Sequence, residues 1–251
     1  MNDIDRRSFL ATSTGSMLAY ALLDTVFARE AFADSVKPVL VKWLRDLNEM
    51  SIDAQKGTLS QTDWQKSVEQ LFGQVDLPEL LKLIDFERIE KKGPLADVGA
   101  RSYRFSFGKI DGVTDRLVFG QQIFGLKKDR SVVPHGHDNM ATAFLILKGD
   151  FHGRHYDRFE GDKTYSIIKP TIDNTFTVGG HSTISDEKDN VHWFKATTDG
   201  SYILNVHVLG VNKDNREPTG RVYLDPNGEK LSDGRIRAPR ISYEKAHKLY
   251  G

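Results

Sequence analysis

From Arg101 onward the apolar residues recur with a period of two, and this restricts the possible folds more than any other feature of the chain. Tyr103, Phe105 and Phe107 alternate with Arg104, Ser106 and Gly108, the pattern of a strand with one buried face. Leu117, Phe119, Gln121 and Ile123 continue it, and Phe144 to Leu147 is an unbroken apolar run closed by Lys148-Gly149. Tyr165 to Ile168, Thr175 to Val178, Val191 to Thr197 and Tyr202 to Leu209 supply further strands between Gly, Asp and Asn turns. About eight to ten short strands with no long helix between them predict a mainly β chain closed as a jelly-roll barrel. No internal repeat is visible, so one barrel is expected.

Ahead of the strands the period is helical. Val36, Leu40, Trp43, Leu44 and Leu47 share one face behind a Ser35 cap, with Pro38 in the tolerated first turn. Trp64, Val68, Leu71 and Phe72 repeat the stripe after Ser60 and stop at Gly73. Asp76-Leu77-Pro78-Glu79 has the form of a capping box; it opens a third helix that Lys91-Lys92-Gly93-Pro94 ends. These stripes are packing faces. Residues 34–93 therefore read as a helical cap on a barrel spanning 94–215. Residues 216–251 follow as a C-terminal extension, in which basic Arg235 to Arg240 reads as a solvated surface tail.

Seven of the eight histidines lie between His135 and His207, which marks that block as the chemical part of the chain. His135 and His137 are two residues apart in a strand-like run, so both rings project from one face, about 7 Å apart along the strand. Two imidazoles so placed can converge on one metal ion, with a third donor from another strand. His192, in Asn190-Val191-His192-Trp193-Phe194, is the expected third ligand; His181 is its substitute if the register differs. Three neutral imidazoles leave a divalent ion its full charge and open positions, which favours an anionic substrate. Nitrogen-only ligation suits Fe(II), Zn, Ni and Cu, and the residues alone do not choose among them. On residues 150–158, strict alternation would put Arg154 and Tyr156 on one face. There Tyr156 can orient a substrate proton and Arg154 can pair with a substrate carboxylate.

The layout resembles the cupin superfamily, whose first motif carries a histidine pair, a glutamate ligand and a closing glycine. His135, His137 and Gly149 match, while Thr142 stands where the glutamate belongs. Without the carboxylate, the chain is most similar to the three-histidine branch, in particular the plant cysteine oxidase and cysteamine dioxygenase group. The shared positions are His135, His137, Met140, Gly149, His152 and Tyr156-Asp157, then the segment Asn190 to Thr198. The second cupin motif is degenerate, with Glu187 and Asp189 at its usual Pro and Gly positions. The resemblance covers roughly residues 102–209. It implies a non-haem dioxygenase that oxidises a small thiol with dioxygen, holding Fe(II) on His135, His137 and His192. Zn, Mn or Ni remain alternative metals. Asn205 falls near a position where that group tends to carry Asp, and Asn cannot act as a base. Two other readings stay open: a metal- or ligand-binding cupin without turnover, and a Zn or Mn cupin enzyme acting on a carboxylated substrate.

The N-terminus reads as an export signal. Asp5-Arg6-Arg7-Ser8-Phe9-Leu10 resembles the twin-arginine motif, with Asp5 for the usual Ser or Thr and Ala11 for Lys. A weakly apolar stretch to Leu23 and the small-x-small site Ala31-Phe32-Ala33 follow. The stretch is too short and polar for a stable membrane span. Residues 1–33 are thus expected to engage the twin-arginine export machinery and deliver a periplasmic or secreted protein. Lys+Arg and Asp+Glu both total 35, so no global field draws the chain to nucleic acid or a membrane surface. The chain has no cysteine, hence no disulfide and no thiolate ligand, which suits folding in a reducing compartment before export.

Overall fold

The computed structural model describes residues 38–212 and 219–251. The signal segment 1–33 and the expected Ser35 cap lie outside them. Among the described residues four helices come first: α1 (Pro38–Lys56), α2 (Gln61–Phe72), α3 (Leu77–Leu83) and α4 (Phe86–Glu90). The Ser60 side chain accepts from the Asp63 amide, and that of Asp76 from the Glu79 amide, as the capping patterns require. The third expected helix is broken in two. Asp85 adopts a left-handed φ of 51°, which stops α3 and lets α4 restart on Phe86 and Ile89. Among the described residues no helix is long and apolar enough to cross a membrane.

Twelve strands follow, of which β1 (Arg101–Arg104) and β10 to β12 flank an eight-stranded core. The core strands are β2 (Gly120–Leu126), β3 (Ser131–Asp138), β4 (Met140–Lys148), β5 (Phe151–Gly161), β6 (Tyr165–Phe176), β7 (His181–Ile184), β8 (Val191–Ala196) and β9 (Ser201–Leu209). One sheet runs β1-β2-β9-β4-β7; the other runs β10-β3-β8-β5-β6-β12-β11. Every pairing is antiparallel. Core order 2-9-4-7 against 3-8-5-6 is the double Greek key of a jelly roll. The fold is a cupin-type jelly roll with an N-terminal helical cap.

Both faces of the first sheet are covered, which explains the unbroken apolar run in β4. Ala141, Ala143, Leu145 and Leu147 join Leu204, Val206 and Val208 in a cluster with Leu40, Trp43, Leu47, Trp64, Val68 and Phe72 of the cap. Phe144 and Ile146 point the other way, into the inter-sheet core of Phe151, Phe176, Ile184, Phe194 and Ile203. A strand buried on both sides loses the alternation of a half-exposed one. Each buried Leu, Ile, Val or Phe among them contributes about 1.5–3 kcal/mol of transfer free energy.

The C-terminal segment is built into the second sheet. β10 (Gly220–Tyr223) pairs with β3, β12 (Ile236–Pro239) pairs with β6, β11 (Glu229–Lys230) closes the edge, and helix α5 (Tyr243–Tyr250) packs on β3. The basic stretch read as a surface tail is therefore an alternating strand. Ile236 and Ala238 are buried with Tyr156, Ile168, Val191 and Leu224, while Arg237 and Arg240 face out.

Candidate metal centre

Two neighbouring strands and one bulge build the site. His135 lies directly opposite His192 in the β3–β8 register. Val132 packs in the inter-sheet core, and His135, three residues on, also faces inward. Strict alternation forbids that. The register shift between Val132 and His135, which contains Pro134, absorbs the extra residue and turns the histidine pair into the barrel.

The three rings form a tight group. Ring centroids lie 4.2 Å apart for His135 and His192, and 5.0 Å apart for His137 with either partner. One nitrogen from each ring lies within 4.8 Å of those of the other two. All three are buried, and among the described residues they are the one such group of potential ligands. Nδ1–H of His135 donates to the Val133 carbonyl at 2.8 Å, leaving Nε2 with its lone pair. Thr142 Oγ1 is 3.1 Å from Nδ1 of His137. With Nδ1–H donating to that oxygen, Nε2 of His137 is free as well. Thr142 thus occupies the motif's glutamate position as a hydrogen-bond partner of a histidine.

The electrostatics are those of neutral imidazoles. Burial holds His135 down to about 4, with the Val133 carbonyl opposing it and Arg221 adding to it. His137 and His192 sit well below the usual histidine range, through burial first and the neighbouring rings second. Nε2 of His137 and Nδ1 of His192 are buried without a hydrogen-bond partner. Buried, unsatisfied nitrogens on such a group of rings are what a bound cation would satisfy. The residues therefore fit a divalent metal.

The centre opens onto a pocket of about 220 Å³. Gln122, Phe124 and Asn205 line it from the first sheet, Arg221 and Tyr223 from β10, and Tyr243 and His247 from α5. Asn205 is thus brought to the histidines, with its Oδ1 3.2 Å from Nδ1 of His207. Arg154 and Tyr156 are not. They share one face of β5, opposite Trp193 and Val191 of β8, and it is the face turned away from His155, His192 and the barrel interior. Tyr156 packs with Ile168, Val191 and Leu224, and Arg154 stacks 4.8 Å over Trp193 while pairing with Asp173. His152 also pairs with Asp173. His181 lies against Phe72 of the cap, with Nδ1 at the Gly179 carbonyl, so it does not replace His192. His155, opposite His192 on β5, is fully buried among Phe144, Phe176 and Phe194.

Arg221, Tyr223, Tyr243 and His247 all lie in the stretch that the sequence reads as a C-terminal extension, with His247 in its tail, yet they line the pocket. The available signal was Arg221-Val222-Tyr223, a short alternating run between Gly220 and the turn Asp225-Pro226-Asn227-Gly228. In the register, Arg221 faces His137 and Tyr223 faces His135.

No protein-family model and no curated protein matches the chain. Among solved structures it is similar to procruciferin, an 11S globulin from Brassica napus, at 12% identity and a TM-score of 0.33 over 46% of this chain. An 11S globulin from Wrightia tinctoria gives 12% identity and 0.36 over 54%. KdgF from Halomonas sp. gives 10% and 0.33 over 47% of this chain and 86% of its own. The chain spans 25% and 30% of the lengths of the two globulins. These are cupin-fold proteins at a distance, and the assignment of the fold rests on the strand order above.

Proposed function

We propose that the protein is an exported cupin that binds a divalent metal, Fe(II) in this reading with Zn, Mn or Ni as alternatives, and oxidises a small thiol or other anionic chelator with dioxygen. The observation that supports it is a buried group of three neutral histidines, with no carboxylate among them, facing a pocket. When bound, the metal would supply Lewis acidity and the activation of dioxygen. His135, His137 and His192 would hold it without cancelling its charge, so an anionic substrate completes the balance. The Val133 carbonyl and Thr142 fix the tautomers of two of these rings. Asn205 and Gln122 present amides to a substrate in the pocket.

For a thiol the overall reaction is RSH + O2 → RSO2H: sulfur is oxidised by four electrons, and both oxygen atoms end on the product. The test is oxygen uptake by Fe(II)-loaded protein across cysteine, cysteamine, mercaptopropionate and Cys-initiated peptides, with product mass read alongside. A product heavier by two oxygens is expected for at least one of them. Full iron loading with no such product would replace this reading with a metal- or ligand-binding cupin. The export element rests on Arg6 and Arg7, outside the described residues. Changing both to Lys is expected to retain a fused reporter in the cytoplasm, and a reporter that still crossed would remove the twin-arginine reading.

A further inference from the structure

Among the described residues, the pocket's one permanently ionised side chain comes from the C-terminal segment. Of the residues lining it, Arg221 alone carries a permanent charge, and none is Asp or Glu. Arg221 stands opposite His137 in the β10–β3 register, at the exposed mouth of the pocket. Among the described residues no carboxylate pairs with it. Asp138, the carboxylate beside it on β3, is already paired with Arg158. Among the described residues its guanidinium thus presents a planar fork of donors with no anion to receive them.

The same segment also supplies a wall. The Tyr223 ring lies 5.6 Å from His135, Tyr243 lies 5.3 Å from Tyr223, and His247 lies 4.2 Å from Tyr243. This row of rings leads from the histidine group outward. Across the pocket stand Phe124 and the amides of Gln122 and Asn205. A pocket of about 220 Å³ is smaller than the range of about 300–1,000 Å³ that holds drug-sized ligands.

We propose that Arg221 anchors the carboxylate of a small organic acid whose hydrocarbon body lies along Tyr223 and Tyr243 and whose other end reaches the three histidines. This rests on reading those histidines as the metal-binding end of the site. At the outer end of the pocket one guanidinium balances one negative charge; a phosphate monoester there, at about −1.5 to −2, would be left partly unpaired. Arg221 thereby sets specificity, and the C-terminal segment is the recognition half of the site.

The experiment is calorimetric titration of C3 to C6 monocarboxylates and their primary amides into wild-type, Arg221→Gln, Arg221→Lys and Arg237→Gln protein, each metal-free and Zn(II)-loaded. Wild type is expected to prefer acid over amide by about tenfold or more, from a charge-assisted pair. Arg221→Gln should abolish that preference at unchanged zinc content, and Arg221→Lys should retain part of it. Arg237→Gln, whose guanidinium pairs with Glu229 at 2.7 Å on another face, should bind as wild type. If Arg221→Gln keeps the acid preference, the anion goes elsewhere and the inference falls. Equal binding of acid and amide by wild type, or equal weakening in Arg237→Gln, overturns it too. If zinc does not bind but metal-free protein shows an Arg221-dependent acid preference, the metal reading fails and this inference stands.

Discussion

At the scale of single residues, the decisive substitution is Thr142. The cupin motif asks there for a charged ligand, and the chain offers a fully buried hydroxyl beside Nδ1 of His137. A carboxylate at that point would take one unit of charge from the bound ion; a hydroxyl only aims the ring. Thr142→Val keeps the shape and removes the acceptor, so Nδ1–H of His137 is left buried without a partner. The cost is about 1–3 kcal/mol of stability. Metal affinity is expected to fall about 10- to 100-fold, the usual effect of losing an outer partner of a ligating histidine. Thr142→Ser, which restores the hydroxyl, should recover most of that affinity. Competition with a chromogenic chelator measures it, and equal affinity in Thr142→Val would show that the hydroxyl does not orient His137.

At the scale of elements, the cap and the site are joined by a polar seam. Gln61 Oε1 accepts from the Asp186 amide, Gln65 accepts from Ser185 Oγ, and Glu69 accepts from Thr183 Oγ1. This holds the turn before β8, where Asp189 keeps the left-handed φ, 56°, of a position that the cupin motif gives to glycine. Asn190 then donates to the carbonyls of both Ser185 and His137, tying the turn to the strand of the first two ligands. The sequence made the ligands legible because a histidine pair at strand spacing and a downstream Asn-Val-His have few other uses. It also showed the helical stripes, since Trp64, Val68 and Phe72 pack as their period requires. It hid what depends on register. Alternation puts Arg154 and Tyr156 on one face of β5, where they stand opposite Trp193 and Val191, but it does not say which face of the strand meets the histidines. Strand β10 was missed because four residues beside a turn carry too little periodicity to be told from a loop.

At the scale of the whole molecule, the buried rings make folding a pH-dependent process. Burial lowers His135 to about 4 and His155 to about 3, while His137 and His192 are pushed well below 6.5. Above pH 6.5 these rings are neutral in the folded and the unfolded chain alike, so the fold keeps its full stability. As pH falls below 6.5, the unfolded chain takes up protons that the folded chain refuses. Stability then drops by about 1.4 kcal/mol per pH unit for each such ring, until the folded value is reached. Asp97, Asp162, Asp173 and Asp233, held below the ordinary 3.8, and Glu244, held below 4.5, act only toward the acid end, where Asp186, raised by burial, opposes the loss. His207 and His247 are also lowered, so the window from 6.5 to about 4.5 belongs to the histidines. Metal-free protein should therefore lose Tm steeply between pH 6.5 and 4. His155→Leu, within the cage of Phe144, Phe176 and Phe194, should remove one ring's share of that slope. Added Zn(II) should raise Tm at pH 7 and still raise it at pH 5, because the folded rings hold no proton there to compete for the same nitrogens. Calorimetric Tm across this range is the measurement. A flat profile from pH 7.5 to 5 would mean that the four rings are not held neutral in the folded protein.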